Sequence, residues 1–395
     1  MHQSTVATTA IALDRPGLTD EWLNWLFDPN YPGDFSRKKD SIPWMLTEGL
    51  DRDGMGGEVG GYGLIWTRYL IRVATMLDQY PEYTDHDLAR EFPKLKQAFL
   101  IESRLNCLDA AMPCIGDSGR TGVWNRAGSA TRFFRGYQLF GDPRLASLAW
   151  HFAGGNPAGL RSDDSIFQQD PEALYAQVAE IAREHPYRLR SDHLGRYGQA
   201  VLQTDTEKPE NGRAIWIHYG HGLGHSHHDT LNLGLYANNV DMLPDLGYPE
   251  YCEGRPKQYA WTANTISHNT LMVNATKLRR SPGGQLSLFS LQPPLRVLEV
   301  TSPQASRHTD LYRRTVALVE VSPNDSYVLD IFRARGGSNH RLLYQGPSQK
   351  ATIQGVPMER QSTGTFAGPD IERDQIEIDG ERNDFLLNSG FSYLW

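Results

Sequence analysis

The run Gly224-His225-Ser226-His227-His228-Asp229, followed by Leu243-Pro244-Asp245-Leu246-Gly247 and then by Ser267-His268-Asn269-Thr270, gathers imidazoles and a carboxylate within one short region of the chain. Imidazole nitrogen and carboxylate oxygen are the donors zinc accepts, at about 2.0–2.2 Å. Alternate residues of a strand point the same way, so a strand here would put His225 and His227 on one face and His228 on the other. Leu231, Leu233 and Leu235 continue the period-two pattern, Asn238-Asn239 offers a turn, and Met242-Leu243 leads into Asp245. That spacing predicts a hairpin with His227 on one arm and Asp245 on the other. His268, just before Leu271 and Val273, would supply a further ligand from a neighbouring strand. Three ligands from three strands point to a mainly structural metal site. The plainer alternative is that such histidines are surface or hydrogen-bonding residues.

The same string partly matches the H-x-H-x-D-H signature of metallo-β-lactamase-like hydrolases, but Thr230 stands where that signature needs a second-half histidine. The ligands therefore have to be positioned by the elements around them. From about residue 5 to about 185 the apolar spacing is helical, with segments near 5–13, 19–27, 61–79, 88–108, 128–140, 143–153 and 171–184. The segment Tyr62 to Leu77 is apolar nearly all round, as expected of a helix packed between others. After His185-Pro186 the period changes to two, predicting strands at 197–203, 213–219, 230–237, 269–273, 295–300, 313–321, 326–333 and 340–344. Helices followed by strands imply an α+β chain of two domains, with residues 1–190 helical and 191–395 built of strands.

Composition narrows the function classes. With 395 residues, 39% hydrophobic and 22% charged, the chain is ordinary globular material, large enough for two cores. A net charge of −8 argues against a general nucleic-acid binder, while leaving room for a local basic cleft. Cys107, Cys114 and Cys252 allow one intramolecular disulfide at most, so the redox compartment stays open. No apolar run reaches the ~20 residues that span a bilayer, so no membrane partner is expected. Met1 to Ala10 lacks the basic and apolar regions of a signal peptide. Trp395 directly follows a strand-like Phe391-Ser392-Tyr393-Leu394, and both ends read as truncated.

The order Gly198-Gln199-Ala200-Val201-Leu202, His225-Ser226-His227-His228-Asp229, Leu243-Pro244-Asp245-Leu246-Gly247, Ser267-His268-Asn269-Thr270 and Tyr327-Val328-Leu329-Asp330 resembles the β-domain of the heparinase II/III-like polysaccharide lyases, a group that includes alginate and oligoalginate lyases. Upstream, Gly54-Met55-Gly56-Gly57-Glu58-Val59-Gly60-Gly61-Tyr62 is similar to the family's glycine-rich segment before a long helix. The resemblance implies a partial α/α toroid of helical hairpins over 1–190 and an antiparallel β-sandwich with a metal site over 191–395. It implies zinc, in a structural role, on His227, Asp245 and His268, with His225 turned toward the cleft instead. Tyr62 falls where the family carries its catalytic tyrosine. His2 is the residue placed to match a histidine one hairpin earlier, with Met1 where the family has asparagine and the first part of the toroid missing.

What the resemblance implies chemically is β-elimination on an acidic, uronate-containing polysaccharide or oligosaccharide. Removing the C5 proton beside a carboxylate creates a dianionic intermediate, which a preorganised donor must neutralise. Tyrosine titrates near about 10, so it donates its proton to the O4 leaving group without help and acts as a base only beside positive charge. On this reading Tyr62 is the general acid and a candidate base, His2 an alternative base, and His225 the neutraliser or base. Glu58 would orient another site residue, or else cap the following helix. Gly116-Asp117-Ser118-Gly119 would line the cleft or form a plain turn, and Arg132, Arg135 and Tyr137 would bind substrate carboxylates or face solvent. A full-length protein of this kind would be periplasmic or secreted. The oligomeric state is left undecided, with a homodimer held open. The rivals are a noncatalytic glycan-binding homologue and a cupin-like metal oxygenase built on His225, His227 and His268.

Overall fold

The computed structural model describes residues 2–30, 41–123, 126–161, 170–206, 211–249, 256–322, 325–348, 350, 352–359 and 361–395. Two compact units emerge, one comprising Met1–Gly57, Tyr62–Asn106 and Arg126–Leu189, the other Glu58–Gly61, Cys107–Asn125 and Arg190–Trp395. The excursions of the second unit into the first half of the chain are not announced by any change in hydrophobic period. Among the described residues no helix is long and apolar enough to cross a membrane.

The first unit is helical: α1 (His2–Leu13), α2 (Leu18–Trp25), α3 (Ile42–Trp44), α4 (Gly60–Asp78), α5 (Leu88–Glu91), α6 (Leu95–Arg104), α7 (Ala130–Phe140), α8 (Pro143–Phe152) and α9 (Pro171–Glu184). The periodic stretch 88–108 is not one helix. It breaks between α5 and α6 at Phe92 and Pro93, because proline has no N–H to donate and disfavours helical backbone in the residue before it. Leu23, Leu26, Leu46, Phe99, Phe133, Phe134 and Leu145 share one buried core, to which α4 contributes Leu70, Val73 and Ala74. Burial of α4 is incomplete, since Ile65 is 41% exposed. Arg132 does not face solvent freely. It and Arg68 close on the carboxylate of Glu102, whose side chain is fully buried. Tyr137 packs into the helical core and Arg135 donates to Gln138 Oε1 at 2.7 Å.

Asp142 caps α8: its carboxylate accepts from the Arg144 backbone N–H at 3.0 Å, and the side chains of Arg144 and Lys96 approach it at 2.7 and 3.1 Å. The Arg144 hydrogen bond leads the influences that hold this carboxyl well below the usual carboxylate range. A depressed folded value means that the contribution is fully present above the unfolded value, about 3.9, and is lost as pH falls toward the folded one. Asp142→Ala is expected to cost about 1 kcal/mol at pH 7. Denaturant unfolding of both proteins should show the gap narrowing below about pH 4, and a gap independent of pH would remove the charge from the explanation.

The second unit is built of antiparallel sheets. Strands β1 (Asp192–Leu194), β2 (Gln199–Gln203), β3 (Arg213–His218), β4 (Leu233–Ala237) and β5 (Val240–Asp241) pair in sequence order. Asn238 and Asn239, at φ of 52° and 59°, make the two-residue turn from β4 to β5. Strands β7 (Gln285–Ser290), β8 (Leu295–Thr301), β9 (Leu311–Glu320) and β10 (Ser326–Arg335) form a second sheet in the order β10-β9-β8-β7. β6 (Leu271–Val273) pairs with β11 (His340–Leu342), and β12 (Glu377–Ile378) with β13 (Glu381–Arg382). Ala200, Leu202, Ile215 and Ile217 of the first sheet share one core with Leu298, Val300, Val316 and Leu318 of the second. The C-terminal Phe391–Tyr393 is not a strand but a 3-10 turn after α10 (Asp384–Ser389), with Gly390 at a φ of 68° ending the helix. Cys107 and Cys114 are buried free thiols, and Cys252 lies outside the described residues.

Candidate metal centre

The segment from Gly224 to Leu231 is a loop between β3 and β4 rather than a strand. His225 and Leu231 adopt φ of 55° and 61°, in the left-handed region, which breaks the alternation on which a strand reading depends. His225 and His227 therefore do not share an environment. The His227 side chain is fully buried, whereas that of His225 is 37% exposed. Asp245 sits in the loop after β5, and His268 follows the 3-10 turn Thr265–Ser267 before β6. The ligands thus come from three loops beside strands, not from the strands themselves.

His227, Asp245 and His268 nevertheless converge: each is buried, and each offers one ligand atom such that the set lies within 4.8 Å. The His227 and His268 rings are 5.5 Å apart between centroids. His227 Nδ1 and His268 Nε2 are buried with no hydrogen-bond partner among the described residues. Leaving such atoms unpaired is costly, so an acceptor of their lone pairs fits the pocket. Two imidazoles and one carboxylate are also a donor set suited to zinc. His225 does not join this cluster, so the oxygenase triad of His225, His227 and His268 is not the one assembled.

The supporting contacts are specific. Asn232 donates Nδ2–H to Asp245 Oδ2 at 2.6 Å and accepts the Asn269 N–H at 2.8 Å. The Gly247 N–H reaches Asp245 Oδ1 at 2.9 Å, and His268 Nδ1 lies 3.2 Å from Asp245 Oδ2. Burial pushes the Asp245 carboxyl up, but the charge and hydrogen bond of His268, with His227 and the Gly247 N–H, outweigh it and hold it below its ordinary value. Burial pulls His268 down, and the charge of Asp245 with their hydrogen bond overcomes this and raises it. Arg314 of β9, fully buried, donates Nη1–H to the carbonyls of Leu231 and Asn269 and pairs through Nε and Nη2 with Asp330 of β10. It therefore ties the end of the His227 loop to the residue after His268.

Asp117 belongs to the segment Gly116-Asp117-Ser118-Gly119, which the sequence left as either lining the cleft or a plain turn. Its Oδ1 lies 2.9 Å from His227 Nε2 and its Oδ2 3.1 Å from His225 Nδ1, while Gln258 Nε2 donates to Oδ1 at 2.9 Å. Burial raises the Asp117 carboxyl, and the bonds and charge of His227, with His225 and Gln258, more than reverse it. A carboxylate behind a metal-ligating imidazole fixes its tautomer and orientation, and holding Nε2 here leaves Nδ1 for an ion. The backbone joins in: Asp117 N–H donates to the His225 carbonyl at 2.9 Å, and a side chain at Gly116, φ 63°, would collide with that same carbonyl. Glu58 stands on the other side of His225, its Oε1 3.6 Å from Nε2, where a parallel bridge joins Glu58 to Gly224.

His228 faces away and meets the Leu278 carbonyl through Nδ1 at 2.5 Å. Burial, then the charge of Lys277, pulls it down to about 3, so it is neutral at physiological pH. Of the remaining candidates, Tyr62 stands in the first turn of α4 and is half-buried. The preceding Gly60 and Gly61 N–H groups are satisfied by Tyr197 Oη at 2.8 Å and Ser118 Oγ at 2.7 Å, so Glu58 is not the cap of that helix at these positions. His2 is the first residue of α1 and is exposed.

The sequence pattern of the heparinase II/III-like C-terminal domain matches residues 187–348, a span that includes all three converging residues. An alginate lyase of Stenotrophomonas maltophilia (strain K279a) is 30% identical over 148 residues, which cover 35% of this chain and 19% of that protein. An exo-oligoalginate lyase of Saccharophagus degradans is 38% identical over 61 residues, covering 13% and 8%. A crystal structure of heparinase III superposes with a TM-score of 0.60 at 14% identity, over 92% of this chain and 50% of that one. The chain thus spans about half the length of that solved structure, and its aligned parts span less of the curated lyases. Residues 187–348 thus match the heparinase II/III-like C-terminal domain, and the solved structure shares the fold.

Proposed function

We propose that the protein is a polysaccharide lyase that cleaves an acidic, uronate-containing glycan by β-elimination. The observation that carries this reading is the buried convergence of His227, Asp245 and His268 beneath a loop whose other histidine, His225, stays partly exposed and is held by Asp117. The family's lyases lend it the reaction class. The core shared by the two sheets supports a β-sandwich, and the run of helices in the first unit supports a partial α/α toroid.

Zinc would be held by His227, Asp245 and His268 and would contribute a fixed positive charge that pins their loops together. The chain's own groups do the chemistry. His225 is presented with Nδ1 on Asp117 and with Glu58 beside Nε2, so the ring is oriented from both sides. An imidazole preorganised in this way acts on the substrate carboxylate as the C5 proton leaves. Tyr62 donates to the O4 leaving group and is also a candidate for the base, with His2 as the other. Glu58 and Asp117 orient His225 without touching substrate.

Incubation with alginate, heparan sulfate, hyaluronan and pectate, followed by ultraviolet absorbance of unsaturated products, tests the reading. Growth of that absorbance on at least one uronate is expected. No signal on any of them, from protein with its metal bound, would overturn it.

A further inference from the structure

The sheet unit contains a pocket of about 270 Å³ whose wall includes Asp117, His225, His228, Gln258, Tyr259 and Arg280. Its charges do not balance internally. The Asp117 oxygens are occupied by His225, His227 and Gln258, and no carboxylate among the described residues pairs with Arg280. Arg280 donates through Nε and Nη2 to the Ser226 carbonyl, at 2.8 and 2.5 Å. A guanidinium carries five donors in a rigid fork, so this anchor leaves its Nη1 edge without a partner among the described residues. Ser226 lies between His225 and His227, so the loop that presents those imidazoles also sets the direction of the cation.

A second cation lies close by. Lys277 Nζ is 5.7 Å from the centroid of the Tyr259 ring. Burial, then the charges of Arg280 and Arg382, holds its amine below its ordinary value. Arg280 is exposed and its anchor is a neutral carbonyl, so a ligand oxyanion reaching it displaces no ion pair.

We propose that Arg280 and Lys277 form an anion-binding subsite beside His225 that takes the carboxylate or sulfate of an acidic sugar and supplies affinity rather than proton transfer. The geometry favours a planar, two-oxygen contact on the free guanidinium edge, with Lys277 as a second point charge. The assignment rests on the reading of the protein as one that acts on acidic glycans.

Calorimetric titration of the metal-bound protein tests it, with four probes: an oligomannuronate, the same oligosaccharide with its carboxyls reduced to alcohols, a heparan sulfate oligosaccharide, and that oligosaccharide desulfated. Arg280→Gln is expected to weaken binding of the acidic probes about 10-fold, and to raise KM by a similar factor with kcat little changed. Lys277→Met touches no backbone carbonyl and is expected to act in the same direction, which keeps the test open if the Arg280 variant disturbs its loop. Binding of the carboxyl-reduced probe should be insensitive to either change. A variant effect that vanishes with reduction marks a carboxylate as the ligand, and one that vanishes with desulfation marks a sulfate. Wild-type affinity in both variants, or no binding of any acidic probe by the parent, overturns the subsite. Normal cleavage with unchanged affinity in both variants sinks the subsite and leaves the lyase reading standing. Arg280-dependent binding without turnover on any uronate does the reverse.

Discussion

His227→Ala is expected to abolish metal binding and to lower stability by about 3 kcal/mol or more. The side chain is fully buried, and its removal takes away both one of the three converging donors and the partner of two carboxylates, Asp117 directly and Asp245 through the cluster. Stripping one member from a buried charged group leaves the others uncompensated, which costs about 3–5 kcal/mol in comparable cases. Two comparisons separate the ion from simple loss of packing. Chelation should lower the melting temperature of the parent protein and strip a stoichiometric metal. The same chelator should leave the variant's already lower melting temperature where it is. A parent protein whose melting and metal content ignore the chelator would remove the ion from the account, whatever the variant does.

The second large effect is kinetic. On the proposed uronate substrate, Tyr62→Phe is expected to reduce kcat by about 10²–10⁴-fold, the range associated with losing a positioned general acid or base. Phenylalanine keeps the ring and removes only the hydroxyl of this half-buried residue in the first turn of α4, and the melting temperature, measured beside the kinetics, reports any change in packing. Retained binding of the acidic oligosaccharide with lost turnover would place the effect on the chemical step. Turnover within about 2-fold of the parent would make Tyr62 a packing residue and move the proton donor elsewhere.

Much of this arrangement could be read from residue types, and the rest was hidden for identifiable reasons. The change of period near residue 185 marks where the helices end, and the Asn238-Asn239 turn is legible because two successive left-handed residues suit asparagine. The convergence of His227, Asp245 and His268 is legible from donor type. The loop character of residues 225 to 231 is not, because the alternation of Leu231, Leu233 and Leu235 extends naturally back through the histidines, while the backbone turns left-handed at both ends. Asp117 was hidden because an aspartate between glycines serves a turn equally well, and its partners lie more than a hundred residues away. A signal was present nonetheless: a buried metal-ligating histidine needs an acceptor for its second nitrogen, and an unassigned aspartate in a glycine-bounded turn can supply it. Strands β1 and β5 are too short to show a period, and β7 carries a register shift between Leu286 and Leu288 that disturbs its alternation.

Arg314 bears on whether the donor loops need an ion to hold their spacing. Its fully buried guanidinium fastens the carbonyls of Leu231 and Asn269. The distance between two of the donor-bearing loops is therefore fixed by a group the ribosome supplies. A metal taken up by His227, Asp245 and His268 would then enter loops already in place, and chelator-treated protein is expected to regain it by simple addition, with no passage through the unfolded state.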